Sequence, residues 1–592
     1  MTHLFLFTLG PVQSFIAQAR KTQDLYAGSR LLSVLTDTAI KTVQHNGGNI
    51  LFPKPDLASL PNRFIAKVDL PEKDLQGFGK KIEDAVRAEW ERIAYNGLLE
   101  QALKVKNFTV PNGFKEQIRQ HLEIYWVFTP IKDEPNGYQK AFQEIDRLLA
   151  GVKQTSYFEQ NEEIGRKCSV DGQRNVKFYR RSQGQQFLGE DRIKETHLFA
   201  TDNEIVDYED NQNLALLQPG EGLSAVSLIK RAYREKYNEN EQQKGKDEFE
   251  STADIALLSW QKHHQAAYAN YRGQFTLKKG NKDFNYFNAQ FLFEDNITKK
   301  QFEKQGLPEE LIKKIPDLLA SQRKLEGFDK KSTKYYAILL FDGDGMGELL
   351  SGDRLAAGKD LATFHTDFSE KLDDFAGAAK IYLNSENRGR TVYAGGDDFL
   401  GFVNLESLFE VLAHFQCKFR ELVSTPMQPY LKDANGITFS AGICIAHYKE
   451  PLSLVLNRAR AMEQKAKDYR KSKNAFGIAV IKGSGEDHDT VWGFENSNPA
   501  KLEYLIESLR KEHFSNTFIK NFQREFAPVL KENEQVPTTM QEMFQIELTR
   551  LAERSCDLPN KKEKAARLCK MLWTDFFLSQ QSESPKATLG NF

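Results

Sequence analysis

The pattern of apolar and polar residues predicts a run of strands and helices in the second half of the chain. Residues 335–341 (YYAILLF) form a continuous apolar run, which is typical of a strand buried on both faces. Residues 391–394 and 399–403 read as two strands joined by a tight hairpin. The full predicted order is strand, helix, hairpin, helix, strand and helix, with the remaining elements near 360–382, 405–425, 437–447 and 451–470.

The two ends of the chain show simpler patterns. Residues 3–8 predict a strand, followed by a Gly10-Pro11 turn and a helix. Leu, Phe and Met recur at helical spacing around 500–530 and 538–580, which predicts a helical C-terminal region. The charged stretch 232–250 has no apolar periodicity and predicts a loop.

Two acidic clusters are attached to the predicted strands. Asp342-Gly343-Asp344 lies at the exit of the first strand, and Gly395-Gly396-Asp397-Asp398 occupies the hairpin turn. Hard divalent cations prefer carboxylate and carbonyl oxygens, so we expect Asp342, Gly343, Asp397 and Asp398 to hold Mg²⁺ or Mn²⁺ in a two-metal site for nucleotidyl transfer. The alternative is an ordinary hairpin turn, since Gly and Asp are favoured there for conformational reasons.

Three segments around these acids have distinctive sequences: residues 341–352 (FDGDGMGELLSG), 389–399 (GRTVYAGGDDF) and 440–452 (SAGICIAHYKEPL). Together they resemble the second palm domain of the large subunit of type III CRISPR effector complexes, and the III-B (Cmr) branch fits best. Residues 4–35 are similar to the first palm of the same subunit.

This resemblance implies an α+β fold class with two ferredoxin-like palm domains. The first palm is expected at 1–160 and the second, which carries the Gly-Gly-Asp-Asp motif, at 331–490. A mostly helical linking domain would join them at 161–330, and a C-terminal helical domain would follow at 491–592. The element order read from the residues agrees with the βαββαβ core of such a palm.

The resemblance also implies roles for individual residues. Asp342, Asp397 and Asp398 are expected to be catalytic, with Asp398 assisting the acceptor hydroxyl. The expected nucleotide contacts are Gly395, Gly396, Lys467, Gln13, Ser14, Arg20, Lys21, Asp24 and Ser29. Glycines would let phosphates approach the backbone, and a helix N-terminus with basic side chains suits phosphate. The alternative for Lys467 and for the N-terminal residues is an ordinary solvated helix face.

The expected linking domain contains a degenerate zinc element. Relatives are expected to carry Cys-x-x-Cys-Gly, whereas this chain has Cys168-Ser169-Val170-Asp171-Gly172, and Ser224 replaces a further cysteine. A structural zinc normally has four Cys or His ligands, so we predict that no intact zinc site forms and that Cys168 is an ordinary thiol. The adjacent His263 and His264 would face different directions on a helix.

DNA cleavage by an HD nuclease domain, which many relatives carry, is not expected of this chain. Its one His-Asp dipeptide is His488-Asp489, and it lies after the second palm, where we predict a loop.

The overall charge gives no electrostatic pull toward nucleic acid, because 81 Lys and Arg balance 82 Asp and Glu. RNA contact would therefore come from local patches or from partner subunits. No apolar stretch is long enough to span a bilayer and no signal peptide is read, so no membrane association is expected. Five cysteines without framework spacing fit a reducing cytoplasm.

The sequence thus predicts a cytoplasmic type III-B CRISPR large subunit. Its expected partners are the other Cmr subunits, the CRISPR RNA and the target RNA, and its expected substrate is ATP. The product is expected to be cyclic oligoadenylate or, as the alternative, a conjugate of AMP with S-adenosylmethionine. A catalytically inactive scaffold is the non-enzymatic alternative. A diguanylate cyclase is disfavoured, because such enzymes need neither the first palm nor the linking domain.

Overall fold

The computed structural model describes most of the chain. The described residues are 1–55, 60–102, 111–155, 165–179, 217–218, 220–234, 249–328, 334–434, 436–483, 487–495, 498–511, 513–515, 517, 520–521, 524, 538–556, 559–571 and 573. Among these residues, no helix combines the length and the hydropathy needed to cross a membrane.

The N-terminal part consists of a four-stranded sheet and its helices. A π-helical stretch, Ile93–Ala102, continues the third helix. The elements in chain order are β1 (Thr2–Gly10), α1 (Gln13–Ala17), α2 (Thr22–His45), β2 (Asn49–Phe52), β3 (Arg63–Asp69), α3 (Glu72–Arg92), α4 (Phe114–Arg119), β4 (Glu123–Pro130) and α5 (Gly137–Gln154).

The strands of this sheet are ordered β2-β3-β1-β4, which is the order of a ferredoxin-like fold. The strand predicted at 3–8 is confirmed as β1, and its interior residues are buried throughout. The helix predicted after the Gly10-Pro11 turn is in fact two helices, α1 and α2. The break falls at residues 18–21, where Asp24 accepts hydrogen bonds from the backbone N–H groups of Arg20 and Lys21 and so starts a new helix.

The linking part contains short helices and two small strand pairs. Most of the stretch 232–250, predicted as a loop, lies outside the described residues. The linking elements are β5 (Phe178–Tyr179), β6 (Gly222–Leu223), α6 (Ala225–Ala232), α7 (Thr252–Ala256), α8 (Leu258–His263), α9 (Gln265–Gly273), β7 (Thr276–Lys279), β8 (Lys282–Asn285), α10 (Lys299–Lys304), α11 (Glu309–Lys313) and α12 (Ile315–Gln322).

The second sheet follows directly. Its elements are β9 (Tyr335–Gly343), α13 (Met346–Leu350), α14 (Leu361–Asn384), β10 (Gly389–Gly395), β11 (Asp398–Asn404), α15 (Leu408–Phe419), α16 (Thr425–Met427), β12 (Phe439–His447), α17 (Leu452–Asp468), β13 (Ala475–Ile481) and β14 (Asp487–Gly493).

This sheet is ordered β10-β11-β9-β12-β13-β14, so its first four strands repeat the ferredoxin-like order of the N-terminal sheet. The predicted strands, hairpin and helices are confirmed, with helix 405–425 ending in a π-helical turn at Arg420–Ser424. Two further strands, β13 and β14, were not predicted. The loop predicted at His488-Asp489 is wrong, because both residues lie in β14. Polar residues fill the first half of this edge strand and conceal it from an apolar pattern.

Three helices of the C-terminal region are described: α18 (Asn498–Arg510), α19 (Thr538–Ser555) and α20 (Lys561–Lys570). Helix α18 overlaps the start of the predicted helical region 500–530. Helices α19 and α20 confirm the helical pattern in the described part of 538–580. Their inward side chains join the hydrophobic core of the second sheet.

The two sheets dock through one continuous hydrophobic core. It includes Leu4 and Leu6 of β1, Phe142 of α5, and Phe364 and Phe368 of α14. Beside these residues, polar contacts also cross the interface. The backbone N–H of Lys54 donates to Ser369 Oγ at 2.7 Å, and Gln139 Nε2 donates to the carbonyl of Ser351 at 3.0 Å.

His365 is the buried polar centre of this interface. Its Nε2 lies 2.9 Å from the carbonyl of Leu350, which can only accept, so Nε2 carries the hydrogen. Its Nδ1 lies 2.9 Å from the hydroxyl of Tyr138 and accepts from it when the ring is neutral. Burial lowers the pKa of His365 to about 4, which keeps the ring neutral at physiological pH.

We expect His365→Gln to change how stability depends on pH. Because the pKa of the folded state lies below the unfolded value of 6.5, the stability contributed by neutral His365 is present above pH 6.5 and is lost as pH falls toward 4. The advantage of the wild type over His365→Gln in urea unfolding should shrink by about 2–3 kcal/mol between pH 7 and pH 4.5. A difference that stays constant over this range would contradict the assignment.

Candidate functional site

The acidic clusters meet because of the register between neighbouring strands. β11 runs antiparallel to β9 with Phe399 opposite Phe341, so the next residues outward, Asp398 and Asp342, lie side by side. The two phenylalanine rings stack with centroids 5.0 Å apart and planes 5° from parallel, which reinforces this register. The Asp342 carboxylate lies close enough to Asp398 to contribute, with burial, to raising its pKa.

Asp397 is placed by the hairpin turn. Gly395 pairs with Asp398 across the hairpin, leaving Gly396 and Asp397 as the two loop residues. Gly396 has a φ of +73°, in the left-handed region that favours glycine, and a Cβ there would meet no atom within 4 Å. Gly396 therefore serves the turn by its backbone conformation and leaves open space above it.

Two of these carboxylates, Asp397 and Asp398, have raised pKa values. Burial and the neighbouring Asp342 raise the pKa of Asp397 to about 6. Burial, followed by the charges of Asp397 and Asp342, raises the pKa of Asp398. The side chain of Asp398 is accessible to solvent because it lines a cavity, and protein surrounds that cavity. Such crowding marks a place where a cation is favoured.

Lys467 supplies one cation to this cluster. Its ammonium pairs with Asp342 and, at 2.7 Å, with Glu463 one helical turn earlier on α17. Burial disfavours the charge on Lys467, but the two ion pairs outweigh it and raise its pKa. Lys467, the residue predicted to contact phosphate, therefore lies beside the acidic cluster and is paired with Asp342, a predicted metal ligand.

Asp344 has a structural role and stands apart from the other acids. It is buried and accepts hydrogen bonds from Thr438 Oγ1 and Ser440 Oγ, both at 2.8 Å, and from the backbone N–H of Asn474 at 3.0 Å. Burial raises its pKa despite these hydrogen bonds. Asp344 thus joins the end of β9 to β12 and to the start of β13.

A cavity of about 170 Å³ lies between the acidic cluster and the N-terminal sheet. One wall comes from the second sheet and α17, and the opposite wall comes from α1, α2 and the segment before β3. The polar side chains that line it are Gln13, Ser29, Asn62, Tyr393, Asp398, Arg460 and Glu463.

The predicted N-terminal contacts divide into two groups. Gln13 and Ser29 line the cavity together with Asp398. Ser14, Arg20, Lys21 and Asp24 are not among the residues that line it. Ser14 and Arg20 are exposed, and Lys21 is the N-cap residue of α2.

Asp24 is buried in an ion pair instead of facing a ligand. The guanidinium of Arg231, on α6, contacts both oxygens of its carboxylate and also donates to Glu221 at 3.1 Å. Burial disfavours the charged carboxylate, but Arg231 outweighs that cost and lowers the pKa of Asp24. On the same helix, buried Lys230 donates to the carbonyls of Phe15 and, at 2.8 Å, Gln18. The linking helix therefore fixes the break between α1 and α2.

Four polar residues among the described residues that line the cavity were not predicted: Asn62, Tyr393, Arg460 and Glu463. Arg460 and Glu463 precede Lys467 by seven and four positions, so helical spacing placed them on the same face and was the available signal. Asn62 carries no local signal, because its position depends on a hydrogen bond from its Nδ2 to the carbonyl of Leu9 at 2.8 Å.

Hydrogen bonds connect the degenerate zinc element to the start of α6. Asp171 Oδ2 accepts from Ser224 Oγ at 2.6 Å and from Ser227 Oγ at 3.0 Å. The thiol of Cys168 lies 3.4 Å from Ser227 Oγ. Burial disfavours the charge of Asp171, but these hydrogen bonds and those from the backbone lower its pKa. Side chains of the chain itself thus join this turn to the start of α6.

The donor chemistry of the acidic cluster fits Mg²⁺ or Mn²⁺. Within the described ranges, no three His, Cys, Asp or Glu side chains converge as a preformed metal cage. Mg²⁺ commonly uses one or two carboxylates and completes its shell with water and substrate phosphates, so it needs no such cage. The crowded oxygens of Asp342, Asp397 and Asp398 suit that mode of binding.

Comparison with known proteins finds two family matches. Residues 335–477 match the family model described as Cas10/Cmr2, second palm domain, and residues 4–57 match that of CRISPR-associated protein Cmr2, N-terminal. Residues 335–477 thus form a Cas10/Cmr2-type second palm domain. The matched regions contain β9 to β12 with the acidic clusters and β1 to β2 with Gln13 and Ser29, so both cavity walls include family sequence.

One individual Cmr2 protein is similar over most of the chain. The CRISPR system Cmr subunit Cmr2 of Pyrococcus furiosus is 26% identical over 563 residues, covering 82% of this chain and 62% of the relative. The chain thus spans about three fifths of that protein's length.

Two solved structures share the fold. The apo state of a type III-B Cmr-beta complex contains a chain that matches with a TM-score of 0.64 and 14% identity, covering 94% of this chain and 78% of that one. The same type of complex bound to cognate target RNA matches with a TM-score of 0.65 and 12% identity, covering 94% and 79%.

Breaking the Arg231–Asp24 pair should loosen the cavity wall of this Cas10/Cmr2 relative. Arg231→Met leaves Asp24 and Glu221 buried without their guanidinium, which should cost about 3–5 kcal/mol in urea unfolding. Adding Asp24→Asn should recover part of that loss. Arg20→Met is the matched control, because Arg20 lies 3.9 Å from the same Glu221 but is exposed, and should cost less than about 1 kcal/mol. Equal losses in both single variants would contradict this reading.

Proposed function

We propose that the chain is the large subunit of a type III-B CRISPR RNA-guided complex that makes an adenylate second messenger from ATP once target RNA is bound. The observation that carries the proposal is the cavity with Asp398 on one wall and Gln13 and Ser29 on the other. Reacting groups delivered from two domains would meet there. Cyclic oligoadenylate is the proposed product.

Three further observations support this function. The two sheets share one strand order, which is consistent with a first and a second palm facing each other. The carboxylates of Asp342 and Asp397 crowd against Asp398, which lines one wall of the cavity. The Cas10/Cmr2 family model covers that wall, and the printed description of the Pyrococcus furiosus relative is a Cmr subunit.

The proposed reaction is in-line displacement at the α-phosphorus of ATP. The acceptor hydroxyl oxygen forms a new bond to the α-phosphorus, the bond from that phosphorus to the β-phosphate oxygen breaks, and pyrophosphate leaves. Divalent cations held by Asp342, Asp397, Asp398 and the Gly343 carbonyl would supply charge stabilisation for the attacking and leaving oxygens. The proton of the acceptor hydroxyl passes to the Asp398 carboxylate, which lines the cavity where the acceptor would bind.

Other residues of the chain would position the nucleotide. Lys467 exchanges its Asp342 partner for phosphate oxygens when the nucleotide binds, since both interactions use the same ammonium group. Gly395 and Gly396 carry no side chain above the turn, so phosphates can approach their backbone closely. Gln13 and Ser29 would contact the acceptor from the opposite wall.

Alanine at both Asp397 and Asp398 should abolish the product. The measurement is mass spectrometry of the products that the assembled, target-RNA-bound complex forms from ATP and Mg²⁺ or Mn²⁺, with and without S-adenosylmethionine. We expect at least a 100-fold loss, typical for removal of groups that stabilise transition-state charge, with complex assembly unchanged.

Asp487→Ala with Asp489→Ala is the matched control. These two acids lie on β14 and pair with Arg458 and Lys465 on the face of α17 away from the cavity. The control should keep its product within about two-fold, since exposed ion pairs contribute little. Product retained by the Asp397 and Asp398 variant would overturn the function, and absence of product from the wild type under both conditions would leave a scaffold role.

A further inference from the structure

Among the described residues that line the cavity, Arg460 is the one cationic side chain. It lies on α17, between the second sheet and the N-terminal wall, and α17 contacts α1 on that side. The acids beside it in the lining are Asp398 and Glu463.

The other basic residues on α17, and Arg470 just after it, are paired. Arg458 donates to Asp487 at 3.0 Å, Lys465 contacts Asp489 at 2.7 Å, and Lys467 pairs with Asp342 and Glu463. Arg470, just beyond the helix, pairs with Glu495. In the part of the chain that the structure describes, Arg460 has no acceptor within hydrogen-bond distance and no ion-pair contact.

A half-buried cation without a partner costs free energy. Burial lowers the pKa of the Arg460 guanidinium, and the attraction of Glu463 and Asp398 offsets this only in part. Glu463 cannot serve as a full partner, because it already pairs with Lys467 at 2.7 Å. An anion entering the cavity would remove this cost, because guanidinium forms strong paired hydrogen bonds to carboxylate and phosphate.

The position of Arg460 indicates which substrate it meets. Seven residues separate it from Lys467, so it lies about 10 Å along the helix axis from the lysine proposed to contact the donor's phosphates. It lies instead beside Asp398, the group proposed to take the acceptor's proton, and toward Gln13 and Ser29 on the N-terminal wall. These neighbours belong to the acceptor side of the cavity.

We propose that Arg460 binds the anionic group of the acceptor substrate, which is the phosphate of a nucleotide acceptor or the carboxylate of S-adenosylmethionine. This assignment rests on the proposed function and names the residue that selects its second substrate. Both anions present paired oxygens to the planar guanidinium, which a lysine ammonium cannot match.

The test compares Arg460→Gln, Arg460→Lys and the control Arg458→Gln in the full chain. Arg458 is the matched control because it lies on the same helix, two residues away, and its partners belong to β14. Binding is measured by calorimetry in two arms, one with a non-hydrolysable ATP analogue and one with S-adenosylmethionine. In the S-adenosylmethionine arm, the decarboxylated compound is the second probe.

We expect Arg460→Gln to weaken binding by about 10–100-fold in one arm, as loss of charge-assisted hydrogen bonds predicts. Arg460→Lys should recover part of the loss, and Arg458→Gln should stay within about two-fold. A loss confined to the ATP analogue identifies phosphate. A loss confined to S-adenosylmethionine, absent with its decarboxylated form, identifies carboxylate. Unchanged binding in both arms would overturn the proposal.

Kinetics of the assembled complex separate this role from a structural one. Arg460→Gln should raise the KM for the acceptor by about the factor by which it weakens binding. It should change kcat less, since the interaction is made in the bound ground state. A fall in kcat with unchanged acceptor KM would overturn the assignment. If the wild-type complex makes no product, the proposed function fails, and weaker binding by Arg460→Gln would still support an anion site at this residue.

Discussion

The site depends on holding carboxylates together that repel one another. Antiparallel register between β9 and β11 places Asp342 beside Asp398, and the stacked rings of Phe341 and Phe399 lie directly behind them in the core. The backbone cannot yield to the repulsion without breaking that packing, because a one-residue slip would turn every side chain to the other face. Protonation, Lys467 or a bound cation must therefore relieve the repulsion. The repulsion adds to burial in raising the pKa of Asp397 and Asp398.

The second wall of the cavity is positioned by contacts far from it in sequence. Lys230 and Arg231 of the linking helix hold the break between α1 and α2. Gln13 of α1 and Ser29 of α2 line the cavity. On the other side, Tyr138 of the N-terminal part contacts His365, whose ring also binds the carbonyl of Leu350 at the end of the helix after Asp342. The acids and the opposite wall are thus joined through the interface core, and a shift of one sheet would change the cavity between them.

Features that depend on neighbouring residues could be predicted from the sequence, whereas features that depend on distant residues could not. Strand β9 and the hairpin were visible because their signals are local, a continuous apolar run and a glycine-containing turn. The burial of Asp24 could not be predicted from the sequence, because its partner Arg231 lies 207 residues away. A polar residue near a helix start reads equally well as a surface charge, a ligand contact or a buried ion pair. Edge strand β14 was missed for the converse reason, since its charged residues pair with α17 and hide its position in the sheet.

Helix α17 shows how one element separates stability from binding. Its outer face carries Arg458 and Lys465, whose charges are satisfied by Asp487 and Asp489 and fix β14 to the sheet. Its inner face carries Arg460, Glu463 and Lys467. Lys467 pairs with Glu463 and Asp342, whereas the described residues provide no ion-pair partner for Arg460. Both faces have the same composition of basic residues in the sequence, so composition alone assigns neither role. The difference lies in whether folding supplies the counter-ion, and an arginine for which it does not is free to bind an anion from solution.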